Sequence, residues 1–180
     1  MTVVLYLLAM VAFLGAADTL YFHEWRAKLP GLGLAARDEL RLHAYRDFVY
    51  AILFGTLPWI AWQGLWAAVL LILLLTETVL TMWDFIVEDW IRKPLGGVYP
   101  GERVMHGVLG IVFGAMLATI VPVLKGWWRA PDALRVAPVP VLPLLRQTIG
   151  VLAAGVFLSG VRDLCAAHEV RGSAWPWKRN

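Results

Sequence analysis

The most restrictive feature of this sequence is a set of long apolar blocks. The strongest block runs from Leu65 to Trp83 and is interrupted only by Glu77. A helix that crosses a membrane needs roughly 20 mostly apolar residues, whereas the helices of soluble domains carry their apolar residues in a stripe along one face. Similar blocks cover Val3–Phe22, Phe48–Trp62, Val104–Leu124 and Thr148–Val161. The sequence therefore predicts an integral membrane protein.

The apolar blocks take up most of the chain, which leaves no room for a separate soluble domain. Apolar residues make up 60% of the 180 residues, against about half in a typical soluble domain. We predict an all-α fold, a single transmembrane domain of five helices at residues 3–25, 39–62, 65–91, 103–124 and 144–168. Between the last two helices, Pro138, Pro140 and Pro143 predict an extended loop, because proline interrupts helices.

Lysine and arginine residues are concentrated on one side of the predicted bundle, and short cytoplasmic loops carry the excess of these residues in membrane proteins. That side holds Arg26, Lys28, Arg37, Arg41, Arg46, Arg92, Lys93 and Arg103, with Arg162, Arg171, Lys178 and Arg179 in the tail. The other side holds Lys125, Arg129, Arg135 and Arg146. We expect a multi-pass protein of the cell inner membrane, with the N-terminus outside and the C-terminus cytoplasmic. The net charge of +3 then reflects topology and anionic lipid, not nucleic acid.

The first four predicted helices form two similar hairpins, which predicts an internal repeat. Each hairpin has a polar Trp-Arg motif at the end of its first helix, then a Gly/Pro loop, then an acid four residues before a histidine. The matched residues are His23-Glu24-Trp25-Arg26, Glu39 and His43 in the first hairpin, and Glu88-Asp89-Trp90-Ile91-Arg92, Glu102 and His106 in the second. Both hairpins run in the same direction, so a repeat would be related by an axis along the membrane normal. The alternative is chance, because Trp and Arg are common at membrane boundaries.

All five predicted helices carry acids or histidines near their cytoplasmic ends. Residues four apart share a helix face, which places Glu39 beside His43. A carboxylate such as Glu77, within an apolar block, is costly in a membrane and should face the bundle interior with a partner. Mixed imidazole and carboxylate ligands suit iron or zinc. We predict one buried metal site formed by His23, Glu39, His43, Glu77, Asp84, Glu88, Glu102 and His106, surrounded by Asp18, Arg46 and Asp47.

Three resemblances bear on this site. The pairing of acid and histidine on two helices, with acids on the others, resembles the ligand set of ferritin-like di-iron bundles, although their pairs are three residues apart rather than four. The stretches Asp18–Tyr21, His23–Arg26 and Glu39–Asp47 resemble a family of bacterial multi-pass inner-membrane proteins, which implies a membrane fold without an activity. Three histidines with an acid (His23, His43, His106 and Asp84) distantly resemble seven-helix zinc hydrolases of ceramide-like lipids, whose helix count differs.

Two classes of function fit these patterns. The first is a metal-dependent membrane enzyme, di-iron or zinc, acting on a lipid, quinone or other apolar substrate from the cytoplasmic side. The second is a non-catalytic scaffold or accessory subunit, in which the charges form structural ion pairs and a Trp-rich outer face around Trp127 and Trp128 contacts a membrane partner. A b-type haem held by His43 and His106 is a further alternative. Whether the protein is an enzyme therefore depends on whether it binds metal.

Overall fold

The structure, a computed structural model, describes residues 1–177 and is nearly all α-helical. Its long helices are α1 (Thr2–Asp18, continued as a π-helix over Thr19–Arg26), α3 (Arg37–Thr56), α4 (Leu65–Arg92), α5 (Pro100–Trp128) and α6 (Pro143–Ala167). A short helix, α2 (Leu29–Leu32), and the 3-10 turns Gly33–Ala36 and Lys93–Leu95 lie in the connections. The basic residues Lys178 and Arg179, used in the topology argument, lie outside the described residues.

The predicted fold class is confirmed. Four helical segments are long and apolar enough to cross a membrane, namely Thr2–Arg26, Leu65–Leu95, Pro100–Trp128 and Pro143–Ala167. The remaining long helix, α3, has 20 residues and so spans about 30 Å, but its first half is polar. Two of the basic residues counted above as loop charges, Arg46 and Arg92, lie within the bundle rather than in loops.

The five long helices form a ring. Around it, α1 packs against α5, α5 against α4, α4 against α3, α3 against α6 along most of its length, and α6 against α1. Because successive long helices run in opposite directions, their apolar parts lie together at one end of the ring and their polar parts at the other. Leu5 near the start of α1, Leu53 near the end of α3 and Leu70 near the start of α4 are buried at the apolar end. The acids and histidines meet at the opposite end, as the sequence predicted.

The second helix, predicted over 39–62, extends too far at its C-terminal end in the prediction. The helix ends at Thr56, and Ile60–Gln63 forms a strand, β1, that pairs antiparallel with β2 (Ala133–Val136) in the loop between α5 and α6. Pro58 explains the end of the helix, because it has no N–H for the helical hydrogen bond. The other helices begin and end within four residues of their predicted bounds, and residues 137–142 form neither helix nor strand.

Gly64 makes the turn from β1 into α4 and generates a prediction. Its φ is +62°, and an added Cβ would collide with Asp132, whose Oδ1 accepts a hydrogen bond from the Leu65 N–H at 2.8 Å. Gly64→Ala should lower the free energy of unfolding by more than about 1 kcal/mol, because the backbone conformation is incompatible with a side chain. The matched control is Gly126→Ala on α5, where a Cβ meets nothing within 4 Å. Thermal unfolding of both variants in one detergent checks this; equal melting temperatures would contradict the turn geometry.

Candidate metal centre and its cavity

The polar end of the bundle buries more negative than positive charge. Seven carboxyl groups are buried there, those of Asp18, Glu39, Glu77, Asp84, Glu88, Glu102 and Asp163. They face two guanidinium groups, of Arg46 and Arg92, which leaves an excess of five negative charges when the histidines are neutral. Carboxylates are almost never fully buried without compensation. The cluster therefore requires more positive charge, from protons or from a bound cation.

The π-helix at the end of α1 brings Asp18 and His23 together. Its wide turn is marked by the Ala27 N–H, which donates to the Phe22 carbonyl five residues earlier at 2.8 Å. In an α-helix, side chains five residues apart point about 140° away from each other, whereas a π-helix closes i→i+5 hydrogen bonds. As a result, His23 Nε2 lies 3.4 Å from Asp18 Oδ2. The sequence analysis, which assumed α geometry, placed Asp18 around the site rather than in it.

Asp18, His23 and His106 direct their donor atoms at one point. His106 Nε2 lies 3.3 Å from Asp18 Oδ2, and His23 Nε2 lies 3.3 Å from Glu102 Oε1. Donors bound to one ion by bonds of about 2.0–2.1 Å lie about 3.4 Å apart when the site is tetrahedral. His23 Nε2 and Glu102 Oε1 are both buried without a hydrogen bond. We call Asp18, His23 and His106 the donor triangle, because they have the spacing of metal ligands and their donor atoms lie within 4.8 Å of one another.

Glu88 contacts the other ring nitrogen of His106. Its Oε2 lies 3.5 Å from His106 Nδ1, and its Oε1 is buried without a hydrogen bond. A carboxylate on the second nitrogen of a metal-binding histidine fixes the tautomer and ring orientation. This contact favours a lone pair on Nε2, the nitrogen that faces Asp18.

Two of the other predicted ligands, Glu77 and Asp84, are held by Arg46. Its Nη1 donates to Asp84 Oδ2 at 2.5 Å and its Nε to Glu77 Oε1 at 3.3 Å. The Thr81 hydroxyl also donates to Glu77 Oε1, at 2.7 Å, and His43 Nε2 lies 3.3 Å from Asp84 Oδ2. Glu77 thus has the interior partner that an intramembrane carboxylate requires. These residues share the region of the donor triangle but form an ion-pair network.

Arg92 forms the second network. It donates to Glu39 Oε1 at 2.8 Å from Nε and at 2.7 Å from Nη2, and its Nη1 lies 3.1 Å from Glu102 Oε1. Glu39 therefore pairs with Arg92 and His43 with Asp84, whereas Glu102 contacts both Arg92 and His23. Arg92 was read in the sequence as a loop charge because it lies next to Lys93, and only its burial reveals its role.

The contacts of the two Glu-x-x-x-His histidines correspond to each other as a repeat would require. His43 on α3 contacts Asp84 on α4, and His106 on α5 contacts Asp18 on α1, each at 3.3 Å. In α4 the matching acids Asp84 and Glu88 are four residues apart, and in α1 Asp18 and His23 are five apart. The π-helix absorbs that one extra residue. This correspondence supports the repeat, and superposition of the two hairpins stays a prediction.

A cavity of about 630 Å³ lies inside the ring and ends at the donor triangle. Asp18, His23 and His106 line its polar end, together with Asp47, whereas Glu88 and Glu102 stand behind them. Aromatic and aliphatic side chains line the rest, and four glycines, Gly15, Gly110, Gly114 and Gly155, border it with no atom within 4 Å of an added Cβ. The volume lies in the range of small-molecule sites.

The haem alternative receives no support from the positions of the histidines. The His23 ring stacks on His43 with centroids 4.5 Å apart and meets His106 edge-on at 6.1 Å. An imidazole ring therefore lies beside both proposed axial ligands, where a porphyrin would have to fit. The fourth histidine, His168, lies outside the cluster and contacts Arg41.

The sequence places Asp163 at the polar end of the last helix, but the predicted metal site did not include it. This acid on α6 is buried, lines the cavity and lies 4.0 Å from His43 Nδ1. It sits near the cytoplasmic end of its predicted helix, where a solvated acid is common, so only tertiary structure identifies it. Comparison with known protein families, with curated proteins and with solved structures gave no match. The candidate site therefore rests on geometry and chemistry alone.

The difference between the buried ion pairs of Arg92 and the exposed ion pair of Arg103 generates a stability prediction. Arg92→Met should destabilise the protein by about 3–5 kcal/mol, because it leaves Glu39 and Glu102 buried without their cation. The control is Arg103→Met, which removes the 3.2 Å pair with Asp89 whose side chains are both 60% exposed; such pairs contribute at most about 1 kcal/mol. Chemical unfolding in mixed micelles measures both, and similar losses for the two variants would contradict the buried network.

Proposed function

We propose that the protein is a metal-dependent membrane enzyme that binds iron or zinc at the donor triangle and acts on an apolar substrate in the adjoining cavity. The observation that carries the proposal is the position of the donor triangle. Asp18 Oδ2 lies 3.4 Å from His23 Nε2 and 3.3 Å from His106 Nε2, donor atoms of all three residues lie within 4.8 Å of one another, and the same three residues line the cavity. A bound ion would thus have protein on one side and substrate space on the other.

The residues present fit such an ion. Catalytic zinc sites use three protein ligands and keep a fourth position open, and non-haem iron oxygenases use two histidines and one carboxylate. A bound ion of this kind would supply Lewis acidity and an activated water, or redox chemistry in the case of iron. The chain's own contribution is orientation. Glu88 fixes the tautomer of His106, and Arg92 holds Glu102 behind His23.

The second pair of matching residues, Asp84 and His43, supports one ion rather than two. Asp84 and His43 correspond to Asp18 and His106, but the Arg46 guanidinium lies against Asp84 and supplies a positive charge there. The residue that corresponds to Arg46 on α5 is Leu109, 63 positions later, the same offset that separates His43 from His106. Leucine provides no charge, which leaves the negative charge around the donor triangle for a metal ion.

Metal analysis tests the proposal. Protein purified without chelator should contain about one equivalent of iron or zinc per chain, because the second group with ligand spacing, Glu88, Glu102 and His106, shares His106 with the donor triangle. His106→Ala and Asp18→Asn should each abolish this content, because the first removes a nitrogen donor and the second replaces a carboxylate with an uncharged amide. His168→Ala is the matched control, since it removes a histidine outside the cluster, and Glu77→Gln should also retain metal. Inductively coupled plasma mass spectrometry measures all four variants beside the wild type.

A wild-type protein without bound metal would overturn the enzyme proposal. The buried acids and arginines would then have only a structural role, and the protein would be the scaffold or accessory subunit. The di-iron alternative predicts a different result. The wild type would contain two equivalents of metal, and His106→Ala would lose both.

We further propose an inner-membrane topology with the polar end cytoplasmic. The support comes from the loop charges that remain after Arg46 and Arg92 are assigned to the interior, which still favour that side. In a Cys165→Ala background, Val136→Cys, 76% exposed in β2, should react with an impermeant maleimide on intact spheroplasts. Leu95→Cys, 55% exposed between α4 and α5, should react only after permeabilisation. The reverse pattern would invert the topology.

A further inference from the structure

The cavity has the dimensions of one lipid chain in one leaflet. From the donor triangle it extends along α5 from His106 to Leu117 and is bordered along α3 from His43 to Phe54. Each of these segments rises about 16 Å, which is about half of the roughly 30 Å hydrocarbon core of a bilayer. Asp18 and His106 lie eight and six residues from the nearest helix ends when the π-helix is included. In a bundle that spans the membrane, the cavity would therefore run from near one boundary to about the bilayer midplane.

The cavity also reaches the lipid-facing surface. Several lining residues are largely exposed, namely Leu20 on α1 at 68%, Leu158 on α6 at 65% and Met82 on α4 at 57%. They lie along the α1–α6 and α4–α5 edges of the ring. Glycines at these edges, Gly155 on α6 and Gly110 on α5, leave the openings free of side chains. An apolar chain therefore has a route from the bilayer that does not cross the polar end.

Charge at the polar end decides which head group fits. The two arginines that line the cavity are both engaged, Arg46 by Glu77 and Asp84 and Arg162 by both carboxylate oxygens of Glu24. Three further carboxyl groups, of Asp18, Asp47 and Asp163, line the same end. With the histidines neutral, a divalent ion at the donor triangle would offset only two of the five excess negative charges counted above. An anionic head group would therefore still meet net negative charge, without a free arginine among the described lining residues, which is an electrostatic barrier.

We propose that the cavity binds a single-chain lipid with an uncharged polar head, such as an alcohol, ester or amide, and places that head at the donor triangle. The proposal deepens the proposed function by naming the substrate class, and it rests on that function only for the reaction. The chain occupies the apolar length of the cavity, and the four glycines provide its width.

Photocrosslinking tests this proposal. The probe is a monoacylglycerol with a diazirine at the end of its chain, added to the protein in nanodiscs of neutral lipid. Crosslinks in the wild type should map to residues at the apolar end of the cavity, such as Phe54 and Leu117. Gly114→Leu and Gly155→Leu should abolish these crosslinks, because each fills space that is open in the wild type. Gly126→Leu, on α5 but outside the cavity, should retain them.

Two outcomes separate this proposal from the metal proposal, and two others would overturn it. Gly114→Leu with normal metal content and no inner crosslinks supports the lipid site, and His106→Ala without metal but with inner crosslinks shows that chain binding stands on its own. Crosslinks confined to lipid-facing residues such as Ile111 and Val151 would overturn the proposal. Equal inner crosslinking by the phosphate ester of the same probe would overturn the assignment of an uncharged head.

Discussion

The structure depends on the compensation of buried negative charge at one end of a bundle whose other end is apolar. Carboxylates in such surroundings are costly unless each has a partner, and this requirement explains why the helices meet as they do. Arg46 joins α3 to α4, and Arg92 joins α4 to the first turns of α3 and α5. The apolar core then packs behind these links. The region where the arginines are insufficient, around Asp18 and His106, is the candidate metal centre.

This arrangement also connects the two proposals. A ring that is held together by ion pairs at one end does not need to be filled along its axis, and glycines on three helices keep the interior open. The cavity reaches the donor triangle, whose carboxylate, Asp18, contacts two histidines and, in the part of the chain that the structure describes, no arginine. Among the described residues, the same three side chains, Asp18, His23 and His106, border both the unbalanced charge and the apolar space. Such coincidence of convergent polar groups with an apolar pocket is typical of binding sites.

Particular residues show how far sequence reasoning reached. The gathering of acids and histidines at one end of the bundle followed from apolar blocks and from acids four residues before histidines, because helix periodicity and helix length are local properties. The roles within the cluster did not follow. Glu77 and Glu102 looked equivalent as ligands, yet one is held by Arg46 and the other borders the donor triangle. The strand at Ile60–Gln63 was missed, because its partner lies about 70 residues away in a proline-rich loop.

The sequence by itself determined that this chain is an all-α bundle with helices long and apolar enough for a membrane, and that its acids and histidines meet at one end. Both conclusions need only the length of apolar runs and the alternation of helix direction. Only the tertiary structure decided which charges neutralise each other, because an arginine selects its carboxylates by distance and burial, which pattern does not encode. It also decided that Asp18 and His23 share a side, since a π-helix, rather than an α-helix, ends α1.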